Sequence, residues 1–212
     1  TFQGGAAELF GLLSNAAREA SITLANVTGS ITHEVAPAAT ADVSAYDFYL
    51  KGKAYYQTNK TEDLEFAAKM YQKALEIEPN FPLAYAGLSD VYAFQYMAYY
   101  DHTPARIAAA KEAAEKGMKI DPGMPEVHRS LGRYHMFTGY IPAAEKCFLT
   151  AIKYNPKYAI GYRTIGWLKR SSHQYDEALQ WARKSLELAP TDLETLLLLS
   201  LIHMDEKRFT VA

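Results

Sequence analysis

The sequence has little of what marks several classes of protein. It contains one cysteine, Cys147, among 212 residues, which excludes an intramolecular disulfide framework and a zinc site of clustered cysteines. No apolar run reaches the ~18 residues of a membrane span; the best candidate, residues 193–204, contains Glu194, Ser200 and His203. No signal peptide is visible at the start of the chain. The cytoplasm is therefore the default compartment, and no membrane partner is expected.

Charge of one sign is also lacking. The 22 Lys and Arg residues almost balance the 24 Asp and Glu residues, for a formal net charge of −2. A general nucleic-acid binder needs a basic excess to displace counterions, so no nucleic-acid partner is expected. With 49% hydrophobic and 22% charged residues, the composition is that of a folded globular chain and excludes wholesale disorder.

Catalytic, cofactor and metal motifs are absent as well. His128 and His135 are two helical turns apart, but no His-Glu-x-x-His pattern accompanies them, so we interpret both as packing residues. Cys147 has no motif that supplies a base, and the glycines do not form a phosphate-binding loop. We therefore predict no catalytic residue, no cofactor and no metal, and a chain that is not an enzyme.

What the sequence does have is a repeat. Pro122, Pro156 and Pro190 lie 34 residues apart, and Pro79 lies 43 residues before the first of them. Each proline follows a stretch with the apolar periodicity of a helix, which it cannot continue, since it lacks the N–H and clashes with the preceding turn. A fixed period of this length indicates a solenoid of stacked helix pairs.

Small and large residues recur at fixed positions within the period. Counted from Pro125 and again from Ala159, a small residue stands at positions 8 and 20 and a large one at positions 4 and 7. These are, in the two units, His128, Leu131, Gly132 and Ala144, then Tyr162, Ile165, Gly166 and Ala178. Small residues let the two helices of a pair approach closely, and the large residues fill the space between units.

This pattern resembles the tetratricopeptide repeat family, over about four-fifths of the chain. The resemblance implies an all-α, right-handed superhelix of about four helix-turn-helix repeats. The expected organisation is an N-terminal amphipathic helix at 1–27, a linker at 28–44 and the array at 45–212. The units span about 46–81, 82–124, 125–158, 159–192 and a truncated 193–212. Because the last unit stops at its position 20 and the chain does not begin with methionine, we expect a piece of a longer protein.

In such a superhelix the first helices line the concave surface, with positions 2, 5, 9 and 12 pointing into it. Two adjacent units then bring together four arginines and a tryptophan: Arg129, Arg133, Arg163, Trp167 and Arg170. Residues 125–192 carry ten basic and six acidic side chains, so positive charge is concentrated there. We predict a groove for a protein or peptide segment, especially an acidic one. The alternative is that these arginines pair with neighbouring acids and stay solvated.

Two other surfaces are candidates. Tyr96, Tyr99 and Tyr100 lie beyond the repeat pattern and are a candidate aromatic patch; the alternative is that they pack on the helix around residues 106–118. The leucine-rich stretch Leu193–Leu201 lacks the second helix of its unit, so we expect it to be exposed and to support a homodimer.

The predicted function is that of a non-catalytic protein-interaction or scaffold module. The alternative comes from a second resemblance, carried by Ala45–Gly52 and the order of helix, linker and array. This order is similar to that of bacterial signalling proteins, in which such arrays accompany transcription regulators, nucleotide cyclases or serine/threonine kinases. The chain would then be a sensor or oligomerisation segment whose effector domain lies elsewhere.

Overall fold

The described part of the chain is entirely helical. The computed structural model describes residues 42–58, 60–98 and 100–210, with side chains as far as residue 206, and all of these lie in one compact unit. They form nine α-helices: α1 Val43–Gln57, α2 Thr61–Ile77, α3 Pro82–Met97, α4 Pro104–Ile120, α5 Pro125–Phe137, α6 Ile141–Tyr154, α7 Ala159–Ser171, α8 Tyr175–Leu188 and α9 Leu193–Thr210. The predicted helix at 1–27 and the first part of the predicted linker lie outside the described residues.

The helices pack as successive pairs. The most extensive contacts are between α1 and α2, α3 and α4, α5 and α6, and α7 and α8, each pair joined by a short turn. First helices of neighbouring pairs also touch, α3 with α5 above all. This arrangement confirms the predicted all-α superhelix of helical repeats.

The prolines end the second helices as predicted. Helices α2, α4, α6 and α8 each stop two residues before Pro79, Pro122, Pro156 or Pro190. The residue between helix and proline has a ψ of 79 to 95° rather than a helical value, because the proline ring disfavours the α conformation in the residue before it.

The longer period between Pro79 and Pro122 reflects two longer helices and a longer turn between them. α3 and α4 have 16 and 17 residues, whereas α5 and α6 have 13 and 14. The pair α3/α4 therefore extends about one helical turn beyond α5/α6, at the end where the connecting segment joins the two helices of the pair.

Close approach of small residues to rings holds the pairs together. A Cβ added at Gly132 on α5 would overlap the ring of Phe148 on α6. Phe148 is fully buried in a cluster with Ala144, Ile165 and Leu168, which joins α6 to α7. Position 8 of this unit is thus small because the ring of Phe148 occupies its space, whereas the glycine at position 8 of α7 lies against a leucine of α9.

Candidate protein-interaction site

The five predicted groove residues lie on two neighbouring first helices. Arg129 and Arg133 are on α5, and Arg163, Trp167 and Arg170 are on α7. All five are partly buried. The structure therefore brings the predicted set onto adjacent helices, but every one of the four guanidinium groups already has an acidic partner within the chain.

Asp90 on α3 holds the two arginines of α5. Its Oδ2 lies 2.5 Å from Nη2 of Arg129, and its Oδ1 lies 3.6 Å from Nη1 of Arg133. The Nε of Arg129 also donates a hydrogen bond to the hydroxyl of Tyr158, at 2.8 Å. Burial is the largest single influence and disfavours the charged form of Arg129, but the Asp90 carboxylate and the other ionisable groups nearby together outweigh burial, so the pKa of Arg129 lies well above its ordinary value. Because only 3% of the Asp90 side chain is exposed, this is a buried ion-pair cluster, hereafter the Asp90 cluster.

Arg163 makes the corresponding link between α7 and α9. Its guanidinium contacts Asp192 at 2.5 Å and Glu194 at 2.9 Å. The hydroxyl of Thr195 also donates to Asp192, at 2.5 Å. Burial raises the pKa of Asp192, but the charge of Arg163 and the Thr195 hydrogen bond outweigh burial, so the net shift is downward. Glu194 differs from the other acids in that its side chain is 56% exposed.

Arg170 makes a second link between α7 and α9. It pairs with Asp205 at 2.8 Å and lies over the indole of Trp167, 5.4 Å from the ring centroid. The indole itself packs on the buried side chains of Leu198 and Ile202. The ion pairs of Arg163 and Arg170 therefore lie on either side of a surface that Trp167 and the exposed face of α9 form.

The residues of α3 at the concave positions of the repeat are buried. The α3 residues Leu83, Ala86, Asp90 and Ala93, expected to point into the concave surface, are all 7% exposed or less. The reason is that α3 packs against α1 on one side and α5 on the other. The open stretch lies instead at α7 and α9, where Leu197 and Met204 are each 53% exposed. We call Arg163, Trp167, Arg170, Leu197 and Met204 the C-terminal groove.

The acidic partners were the residues that sequence reasoning missed. Asp90 stands at position 9 of its unit, and Arg129 and Arg133 stand at positions 5 and 9 of the next unit. Since equivalent positions of stacked first helices lie side by side, an acid at position 9 followed by arginines at 5 and 9 was the available signal.

Of the three predicted tyrosines, the structure describes Tyr96 and Tyr100. Tyr96 stacks on the ring of His102, in the loop that follows α3, with centroids 3.9 Å apart. Tyr100 is 48% exposed and Met97 is 39% exposed. Tyr99 lies outside the described residues.

The leucines of α9 are exposed as expected at three positions. Leu193, Leu196 and Leu197 are 78%, 41% and 53% exposed, whereas Leu198 is fully buried against α8. Helix α9 thus packs one face on its neighbour and leaves apolar side chains on the others.

His128, His135 and Cys147 are partly buried. His128 stacks on Tyr154 with centroids 5.2 Å apart, and burial lowers the pKa of His135. Cys147 is half-buried, and burial raises the pKa of its thiol, which disfavours the reactive thiolate. Among the described residues, no group of three His, Cys, Asp or Glu side chains could hold a metal ion. Within the same part of the chain, no helix is long and apolar enough to cross a membrane.

Comparison with known proteins gives limited sequence likeness. No protein-family model matches the chain. The transcriptional regulator HilA of Salmonella typhimurium strain LT2 is 28% identical over 144 residues, and HilA of Salmonella typhi matches equally. The match covers 68% of this chain but 26% of HilA, so the chain spans about a quarter of the length of the curated relatives it matches.

Solved structures show the class of fold. TTC0263, a thermophilic tetratricopeptide repeat protein of Thermus thermophilus, superposes with a TM-score of 0.50 at 17% identity, over 76% of this chain and 99% of that one. PilF of Pseudomonas aeruginosa superposes with a TM-score of 0.55 at 20% identity, over 79% and 71%. By fold, the chain is a tetratricopeptide repeat solenoid.

Proposed function

We propose that the chain is a non-catalytic interaction module that binds a protein segment in the C-terminal groove. The observation that carries the proposal is the exposure of Leu197 and Met204, 53% each, on α9. Ion pairs of Arg163 and Arg170 join α9 to α7, the helix that carries Trp167. Exposed large apolar side chains beside a tryptophan and arginines have the composition of an interface core.

The charges of the groove favour an acidic segment. Arg163 is held on one side by Glu194, whose side chain is 56% exposed. An exposed ion pair contributes little to stability, so a carboxylate of the partner can replace Glu194 at small cost. Arg129 and Arg133 are poorer candidates, because the buried Asp90 holds both. The proposed site therefore keeps the three α7 residues of the predicted groove and adds Leu197 and Met204 of α9.

A double substitution of Leu197→Glu and Met204→Glu should abolish partner binding. Both side chains are half-exposed, so the fold should tolerate the change, while two carboxylates in place of an apolar surface should weaken binding at least about tenfold. The partner would be captured from a lysate of the source organism, identified, purified and titrated against both proteins by calorimetry.

The matched control is Phe66→Glu with Ile77→Glu on α2. Both residues are exposed, by 48% and 40%, and the change in charge is the same. We expect it to bind the partner like the parent, with helicity unchanged in both variants by circular dichroism. Equal binding by all three proteins would show that the partner uses another face.

A second candidate function is favoured by the likeness to HilA, which is named as a transcriptional regulator. The chain would then be the helical-repeat segment of a larger regulator. Reading the coding sequence on both sides of residues 1–212 tests this, since an adjoining DNA-binding domain is expected if it is right and its absence would refute it.

The exposed leucines of α9 support self-association. We expect the chain to form a homodimer of twice its 23.7 kDa mass through Leu193 and Leu196, because burying exposed apolar surface is favourable. Sedimentation equilibrium should show a dimer for the parent and a monomer for Leu193→Glu with Leu196→Glu. A monomeric parent at high concentration would contradict this prediction.

A further inference from the structure

A second charged surface lies on the outer face of the solenoid, along α6. Residues 125–192 carry ten basic and six acidic side chains. The sequence alone suggested that this positive charge lies in the concave groove. The ion pairs of the structure show where the charge is neutralised and where it is not.

Six of the ten basic side chains are paired. The four groove arginines take acids that lie mostly outside these units, namely Asp90, Glu194 and Asp205, together with Asp192. Lys169 bridges Glu145 and Glu177 at 2.9 Å each, and Lys184 pairs with Glu187. Within the part of the chain that the structure describes, the basic residues of these units with no acidic partner are Lys146, Lys153, Lys157 and Arg183.

Three of these four cations are on α6 or just after it. Lys146 and Lys153 are seven residues apart, two helical turns, and so share one face. Leu149 lies between them and is 43% exposed. Together with Pro142 and Thr150 these side chains line a shallow depression. Lys157 follows in the next turn of the chain and is exposed. We call Lys146, Leu149, Lys153 and Lys157 the α6 face.

Glu145, beside this face, offsets only part of its positive charge. Glu145 also lines the depression, but its carboxylate is held by Lys169, whose amino group lies 2.9 Å away. The hydrogen bonds to Glu145 and Glu177 raise the pKa of Lys169, so that amino group stays charged and Glu145 stays occupied. The α6 face is therefore a net positive surface with an apolar centre.

From this charge distribution we propose that the α6 face docks an acidic protein segment that carries an apolar side chain. Carboxylates spaced along the segment would pair with Lys146, Lys153 and Lys157, and its apolar side chain would cover Leu149. This partner differs from the occupant of the C-terminal groove, because α6 is a second helix on the opposite side of its pair. A membrane surface fits less well, since an interfacial helix needs a broad apolar face and this one presents Leu149 and Pro142. Charge complementarity of this kind governs the association rate and the choice of partner.

The test is a titration with a defined probe. A fluorescein-labelled peptide of about 15 residues, with glutamates seven residues apart and a leucine between them, matches the spacing of Lys146 and Lys153 on either side of Leu149. Fluorescence anisotropy should show binding that weakens as salt rises. Lys146→Glu with Lys153→Glu should bind at least about tenfold more weakly, because two attractions become repulsions.

The control variant is Lys69→Glu with Lys73→Glu on α2. It makes the same change of charge on exposed lysines of another second helix, and we expect it to bind the probe like the parent. Carbodiimide cross-linking should join the peptide to Lys146, Lys153 or Lys157 in preference to the lysines of α2 and α4. Circular dichroism of both variants checks that each is folded.

Three results would overturn the proposal. One is equal weakening by both lysine variants, which would mean that the peptide senses net charge. Another is that the parent binds no peptide but does bind vesicles of phosphatidylserine and phosphatidylcholine, and that Lys146→Glu with Lys153→Glu abolishes the vesicle binding. The α6 face would then contact anionic lipid. Loss of peptide binding in Leu197→Glu with Met204→Glu would also contradict it, because the probe would be in the C-terminal groove.

Discussion

Replacing Asp90 with alanine is expected to destabilise the folded chain by about 3–5 kcal/mol, since removal of one member of a buried ion pair leaves the other charge uncompensated. Asp90 is 2% exposed, and it is the acidic partner of both Arg129 and Arg133. Without it, two guanidinium groups that remain protonated would stay between α3 and α5. The substitution therefore removes the electrostatic link between two neighbouring units.

Urea unfolding followed by circular dichroism measures the effect. Glu194→Ala is the matched control, because it also removes an acid that links two first helices, but its side chain is 56% exposed. We expect the control to cost less than about 1 kcal/mol. Adding Arg129→Met and Arg133→Met to Asp90→Ala should recover most of the lost stability, as apolar replacements of buried ion pairs often do. A similar loss for Asp90→Ala and Glu194→Ala would show that burial does not set the strength of these links.

The repeat architecture was predictable from the sequence because its signals are local. A proline two residues past a helix acts through its own ring, and a glycine at position 8 faces a residue on the helix that follows in the same unit. Gly132 and Phe148 are an example, since they are 16 residues apart in the sequence and meet within one helix pair. The helix ends and the pairing of helices follow from such short-range rules.

The state of the groove was less predictable, because it depends on contacts between units. The sequence placed Arg129 and Arg133 on the concave face, but their partner Asp90 lies about 40 residues earlier, and its position depends on how α3 stacks on α5. The burial of Leu83 and Ala86 has the same origin, since α1 and α5 flank α3. Composition gave the excess of positive charge correctly, while its location on α6 required the full set of ion pairs.

Replacing Phe148 with alanine is the other change with a large expected effect, a loss of about 3–5 kcal/mol from the cavity that it leaves. Phe148 is fully buried where α5, α6 and α7 meet, and its ring occupies the space that a Cβ at Gly132 would need.

The contact with Gly132 allows a sharper test than the loss itself. In the parent, Gly132→Ala should destabilise by about 1–3 kcal/mol, because the new methyl group overlaps the ring. In the Phe148→Ala background the same change should be neutral or stabilise by about 1 kcal/mol, since the overlap is gone and alanine is the better helix former. Urea unfolding of the four proteins gives both values, with Leu149→Ala, at a neighbouring position 43% exposed, as the control expected to change little. If Gly132→Ala had the same effect in both backgrounds, the small residue at position 132 would not be needed to admit the ring of Phe148, and the packing inferred for this unit would be wrong.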